Sequence, residues 1–236
     1  MDNHKYREEL KARLLSFNKE FVETCNSCSR RTEDVQVIYA TKYLNSNQFG
    51  DFLNICKEID LAPVLVGENR VQVAEVKFNH ICNNFPELQK LFKPIMIGNL
   101  QKNKINKTIN LFEEIHAIDS LDLAQALNER LKREGKTMSI FLEVNISGEE
   151  TKHGIGENEL KGVIRSIRDL NNLKLKGLMT MAPIAGHPEE VRPIFRKLRK
   201  LADQNGLLTS MGMSSDWRIA VEEGSDFIRV GSRIFM

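Results

Sequence analysis

Cysteine is scarce in this sequence, only one tryptophan and three tyrosines occur, and no apolar run is long enough to cross a bilayer. Four cysteines in 236 residues do not amount to a disulfide framework, and a hydrophobic content of 41% is enough for a large core. Cys25, Cys28, Cys56 and Cys82 are therefore expected as reduced thiols. The spacing CNSC at 25–28 would suit half a zinc site or a redox pair. No second such pair exists, and this one ends a helix instead of sitting at a strand-to-helix turn, so chance placement is the favoured reading. A strong charge of either sign is also missing. With 34 basic against 32 acidic residues the formal charge is +2, which offers no broad field for nucleic acid or anionic lipid. The charged N-terminus MDNHKYREELKARLLSFNKEFVET lacks the apolar core of a signal peptide, and a cytoplasmic location is expected.

Nucleotide-binding loops are absent too. After the first apolar strand, where a dinucleotide fold would carry G-x-G-x-x-G, the chain reads ATKYLNSNQFG, and no Walker-type loop appears anywhere. This argues against an open doubly wound sheet. No Pro/Gly/Ser-rich linker divides the sequence, so residues 1–236 are expected to form one domain.

What the chain does contain is a repeat of short apolar strands and helical segments. A first helix is expected over 3–27, with Leu10, Leu14, Leu15, Phe17, Phe21 and Val22 as its apolar stripe. Strands are expected at 35–40, 63–67, 94–98, 114–118, 140–146, 175–181, 207–213 and 227–231. Helical patterns lie between them, with Ser120 and Asn158 as helix caps and Gly135 and Gly206 as stops. Continuous rather than alternating hydrophobicity in strands that alternate with helices describes a parallel sheet covered by helices. Eight such units predict a single (β/α)8 TIM barrel, of the α/β class, with an extra N-terminal helix.

Function in such a barrel gathers at the C-terminal ends of the strands. Lys42 stands at the end of the first. Most lysines turn outward into water, but one aimed into a barrel mouth is expected to lose water, which favours the neutral amine that condenses with aldehydes. The loops after strands seven and eight, SMGMSSD and RVGSR, provide Ser214 near a helix start, and Gly231 and Ser232 in a turn where backbone amides can meet an anion. These are the usual phosphate loops of the fold. An amine opposite a phosphate cradle suits pyridoxal 5′-phosphate, or a phosphorylated sugar in an aldolase.

The motifs VGENRVQ, IGNLQKNK, VNISGEETKHGI, GLMTMAP, SMGMSSD and IRVGSRIF, in that order, resemble the YggS/PROSC family, the pyridoxal phosphate homeostasis proteins. The resemblance runs from about residue 35 to the C-terminus. It implies the barrel of the alanine racemase N-terminal domain, pyridoxal 5′-phosphate as cofactor and Lys42 as the Schiff-base lysine. It further implies phosphate contacts from Ser214 and the backbone of Gly231 and Ser232, Arg229 at the pyridine nitrogen, and Asn69 in the site. A guanidinium there can only donate, leaving the ring nitrogen unprotonated and the ring a weak electron sink. An arginine within FIRVG is accordingly expected to point inward.

Family members bind, buffer or deliver the cofactor and have no established turnover, so no catalytic residue and no metal are expected. The implied partners are the cofactor and cofactor-dependent apoenzymes that receive it, with no nucleic acid, no membrane and a monomeric chain. The alternative is a minimal pyridoxal phosphate-dependent racemase or lyase. A racemase would need a second acid/base residue from an additional β domain, and only SRIFM follows the eighth strand. One departure is clear: family members carry an aromatic–histidine pair where this chain has Pro94 and Ile95. Lys152 and His153 are expected to be loop residues, the basic run 101–107 a solvated helix face, and Trp217 a close neighbour of the cofactor.

Overall fold

The structure, a computed structural model, describes residues 3–146, 148, 153–183 and 186–236. Its parallel strands are β1 (Gln36–Ala40), β2 (Val64–Glu68), β3 (Phe92–Met96), β4 (Glu114–Ile118), β5 (Met138–Asn145), the two-residue β6 (Ile155–Gly156), β7 (Leu173–Met179), β8 (Leu208–Ser210) and β9 (Phe227–Val230). β6 pairs only with the end of β5. The other eight run in the order β4-β3-β2-β1-β9-β8-β7-β5, and β4 pairs with β5 to close the ring. The chain is a closed (β/α)8 barrel. All eight expected strands exist, displaced by at most a few residues at their ends.

The helices are α1 (Asn3–Ser27), α2 (Ser46–Glu58), α3 (Val71–Asn84), α4 (Ile105–Leu111), α5 (Leu121–Arg133), α6 (Glu157–Arg168), α7 (Arg192–Asn205), α8 (Trp217–Glu222) and α9 (Ser232–Phe235). Ser120 caps α5 by accepting the Leu123 N–H, and Gly206 closes α7 in the left-handed region at φ 64°. Asn158 caps nothing. It lies inside the first turn of α6, where Gly156 holds the N-cap position. The outward faces of the strands and the inward faces of the helices form one apolar core that surrounds the barrel.

α1 packs on α2, α8 and α9 through Leu10, Leu14, Phe17 and Phe21. Two residues of the expected stripe are not buried: Leu15 is 49% and Val22 44% exposed. They are seven apart, hence on one line of the helix, beside the line that carries the buried residues. Cys25 instead continues the stripe into the core, while the Cys28 thiol donates to the Thr24 carbonyl at 3.1 Å. No helix among the described residues is long and apolar enough to cross a membrane.

Candidate functional site

The C-terminal ends of β1, β2, β8 and β9 surround a cavity of about 400 Å³, within the range of roughly 300–1,000 Å³ typical of ligand sites. Its lining includes Lys42, Asn69, Ser214, Arg229, Gly231 and Ser232. All six residues singled out in the sequence therefore face one space. A larger cavity of about 550 Å³ lies alongside, at the ends of β2 and β3, and shares Asn69.

Lys42 sits in a single turn of 3-10 helix, Thr41–Tyr43, where β1 ends. The ammonium is not stripped of water as the sequence led us to expect. Lys42 is exposed, its Nζ 5.1 Å from the centre of the Tyr43 ring. The wide mouth of the cavity keeps it hydrated, while the backbone beneath it is held rigidly. Thr41 Oγ1 donates to Glu68 Oε1 at 2.6 Å, and Lys77 Nζ donates to the same oxygen at 2.5 Å and to the Thr41 carbonyl at 2.8 Å. Lys77 is 2% exposed and Glu68 wholly buried, so among the described residues the dry lysine is Lys77, on α3, and not Lys42.

Ser214 precedes α8 by three residues without capping it; the Asp216 carboxylate instead accepts the Met213 N–H. Ser214 Oγ accepts N–H groups from Gly231 at 3.0 Å and Arg233 at 3.3 Å, and so ties the loop after β8 to the loop after β9. The Gly231 amide is thus engaged by Ser214 and does not stand beside the Ser232 amide as a free donor. Having filled its lone pairs, the Ser214 hydroxyl keeps its own proton to donate. A Cβ on Gly231 would fall 2.9 Å from the Tyr43 ring and 3.0 Å from the Ala40 carbonyl, so glycine is what lets these loops close.

Arg229 lies inside the barrel. One of its nitrogens donates to Ser210 Oγ at 2.8 Å and the other to the Thr180 carbonyl at 2.9 Å. Burial lowers its pKa to about 10, with Asp216 and Glu143 opposing, so it is charged at neutral pH. Below it a polar chain runs down the barrel. Ser210 Oγ is 3.0 Å from Nδ1 of His116, and the His116 Nε2 is 3.3 Å from Glu114, which also pairs with Lys176. Burial pushes the His116 pKa down to about 4, so the ring is neutral. Since Arg229 can only donate, Ser210 passes its hydrogen to Nδ1, and Nε2–H donates to Glu114. Burial raises Glu114, but hydrogen bonds from His116 and Lys176 outweigh it and hold the carboxyl below its ordinary range.

Other expectations resolve differently. Trp217 does not line the cavity: it is buried edge-on against Phe17 of α1, with ring centres 5.2 Å apart. Ile95, where the family has histidine, is buried on β3. In the basic run, Lys102 pairs with Asp122 and Lys107 with Glu75, as a solvated face would. Lys152 lies outside the described residues; His153 is exposed and lines the 550 Å³ cavity. Glu68, Lys77, His116 and Glu143 were not singled out in the sequence. The available signal was a charged or imidazole side chain inside an otherwise apolar strand, as in VLVGE, EIHAI and IFLEVNI.

The barrel class is explicit in the family described as "Alanine racemase, N-terminal domain", which matches residues 65–236. Among curated proteins, the pyridoxal phosphate homeostasis protein of Aquifex aeolicus is 33% identical over 220 residues, covering 90% of this chain and 91% of that protein. The protein of the same name from Helicobacter pylori is 30% identical over 98% of both chains. A solved structure of PipY from Synechococcus elongatus, described with PLP bound, superposes with a TM-score of 0.80 at 27% identity, covering 97% of this chain and 100% of that one. The chain belongs to the pyridoxal phosphate homeostasis protein family. An alanine racemase from Clostridium difficile, at 13% identity and a TM-score of 0.66, shares the fold alone.

Proposed function

We propose that this protein binds pyridoxal 5′-phosphate in the Lys42 cavity and serves intracellular cofactor homeostasis, holding and releasing the cofactor without turning over a substrate. The observation that carries this reading is the convergence of Lys42, Asn69, Ser214, Arg229, Gly231 and Ser232 on one 400 Å³ space. When bound, the cofactor supplies an aldehyde that reacts with amines and a phosphate that calls for hydrogen-bond donors. The donor set fits: an amine on one wall, hydroxyls and amides on the opposite loops, and a guanidinium on the floor.

Each residue then has a task. Lys42 is reachable from solvent, which suits a group that must both take up and give back a ligand. The Ser214 hydroxyl and the Gly231 and Ser232 amides would hold the phosphate, with Ser214 surrendering its grip on the Gly231 N–H as the anion arrives. Arg229 would face the ring nitrogen. Its charge persists at neutral pH and it has no proton to exchange with the ring, so it opposes carbanion chemistry. Asn69, between the 400 Å³ and 550 Å³ spaces, would flank the ring.

We read the chain as one cytoplasmic domain, acting as a monomer and passing the cofactor to apoenzymes. Mixing the purified protein with the cofactor should produce a visible absorption band that borohydride bleaches, and mass spectrometry should find the reduced adduct on Lys42. Lys42→Ala should stay colourless yet unfold within about 0.5 kcal/mol of wild type, as an exposed residue does. An uncoloured wild type sinks the proposal. Steady turnover of any D- or L-amino acid by the loaded protein would replace it with the racemase or lyase reading.

A further inference from the structure

Beside the Lys42 cavity, between the ends of β5 and β7, lies a separate cavity of about 200 Å³. Glu143, Asn145, Ile146, His153, Thr180 and Met181 line it, and Met181 also lines the Lys42 cavity. Its chemistry is set by Glu143. Three carboxylates are buried among the described residues: Glu68, Glu143 and Asp216. Glu68 is held by Thr41 and Lys77, and Asp216 by the Met213 amide. Glu143 is 4% exposed, and its carboxylate makes no hydrogen bond or ion pair with the side chain or backbone of a described residue, although its own backbone pairs with β7.

Neighbouring groups do not meet that need. Arg229, a buried cation of the same barrel, donates to Ser210 and Thr180 and makes no ion pair with Glu143. The His153 Nδ1 is 3.9 Å from Asp119, which places a second carboxylate near the cavity. Burial raises the Glu143 pKa and Asp119 adds to the rise, while Arg229 and His153 oppose it. A carboxyl desolvated without a partner is costly, and a ligand bringing N–H donors and positive charge offsets that cost. The remaining wall at Ile146, Met181 and Ala182 is apolar. The space equals roughly seven waters at about 30 Å³ each, which suits an amine of a few carbons.

We propose that this cavity is a binding subsite for a small primary ammonium compound, with the nitrogen held by Glu143 and the short apolar body against Ile146, Met181 and Ala182. It sets an amino compound next to the space occupied by Lys42. That an amine there could compete with Lys42 for the cofactor rests on the function proposed above; the binding itself does not.

The test uses cofactor-free protein and ligand-detected NMR at constant ionic strength, with n-propylammonium, 1-propanol and propionate as probes. Wild type is expected to bind propylammonium in the millimolar range, and Glu143→Gln to bind it about tenfold or more weakly. Ala182→Leu, which fills the space without touching the charge, should abolish binding, and it keeps the test decisive if Glu143→Gln folds poorly. Lys42→Ala should bind propylammonium like wild type, so that failure of the subsite and failure of the cofactor reading are separable. Equal affinity in wild type and Glu143→Gln, a preference for propionate, or no propylammonium binding overturns the proposal.

Discussion

Lys77 of α3 and Glu68 of β2 are buried together as an ion pair behind the barrel wall. Lys77 and Glu68 each lose their water, and their attraction offsets that loss only because Thr41 supplies further hydrogen bonds to both. Glu68 Oε2 still has no hydrogen-bond partner among the described residues. Removing one charge strands the other, so Lys77→Met should lower the unfolding free energy by about 3–5 kcal/mol, measured by urea denaturation. The double variant Lys77→Met/Glu68→Gln should recover part of that loss, because a neutral amide can still accept the Thr41 hydroxyl. If the single and double variants lose the same amount, the pair is not what costs the stability. Glu68 left a sign in the sequence, a charge ending the apolar strand VLVGE, but Lys77 left none, because it sits in an ordinary amphipathic helix nine residues beyond its partner. Lys42 was legible from position alone, and the reading of its environment was wrong: the strand end was found correctly, but hydration depends on what closes over the mouth.

Among the elements, α1 is the addition to the barrel. It was recognisable over its whole length, since four core positions recur at helical spacing, but which line of the helix faces inward was decided by its neighbours. The Phe17 and Phe21 rings meet Trp217 at the start of α8, and Glu20 pairs with both Arg218 and Arg233. α1 thereby clamps the two loops that carry Ser214 and Gly231. Phe17→Ala should cost about 3–5 kcal/mol and shift the emission of the single tryptophan to the red as water reaches it. Emission unchanged in the folded variant would mean that α1 does not seal Trp217. The expectation that this indole would sit by the cofactor failed because α8 is only six residues long, and turning its apolar face to α1 turns Trp217 away from the mouth.

On the scale of the whole molecule, the polar chain from Arg229 through Ser210 and His116 to Glu114 and Lys176 links β9, β8, β4 and β7 inside the barrel. Its direction requires a neutral His116. The folded pKa of about 4 lies below the ordinary value of 6.5, so between these the unfolded chain binds the extra proton, and stability falls as pH drops from 6.5 to 4. The loss through this group is about 3 kcal/mol. Glu143 and Asp216, raised by burial, act in the opposite direction, so the comparison that isolates the imidazole is with His116→Gln. That variant should lose about 3 kcal/mol less than wild type over the same interval in urea titrations; identical pH profiles would show that His116 does not titrate with folding. The sequence alone determined the barrel, its N-terminal helix and the strand ends where function gathers, because hydrophobic period and turn residues are local properties of a chain. Tertiary structure decided that Lys77 is dry, that Ser214 answers Gly231 across two loops, and that the Glu143 carboxylate is left without a partner among the described residues. Burial and hydrogen-bond partnership are set by closure of the sheet, which brings residues far apart in the chain into a space that excludes water.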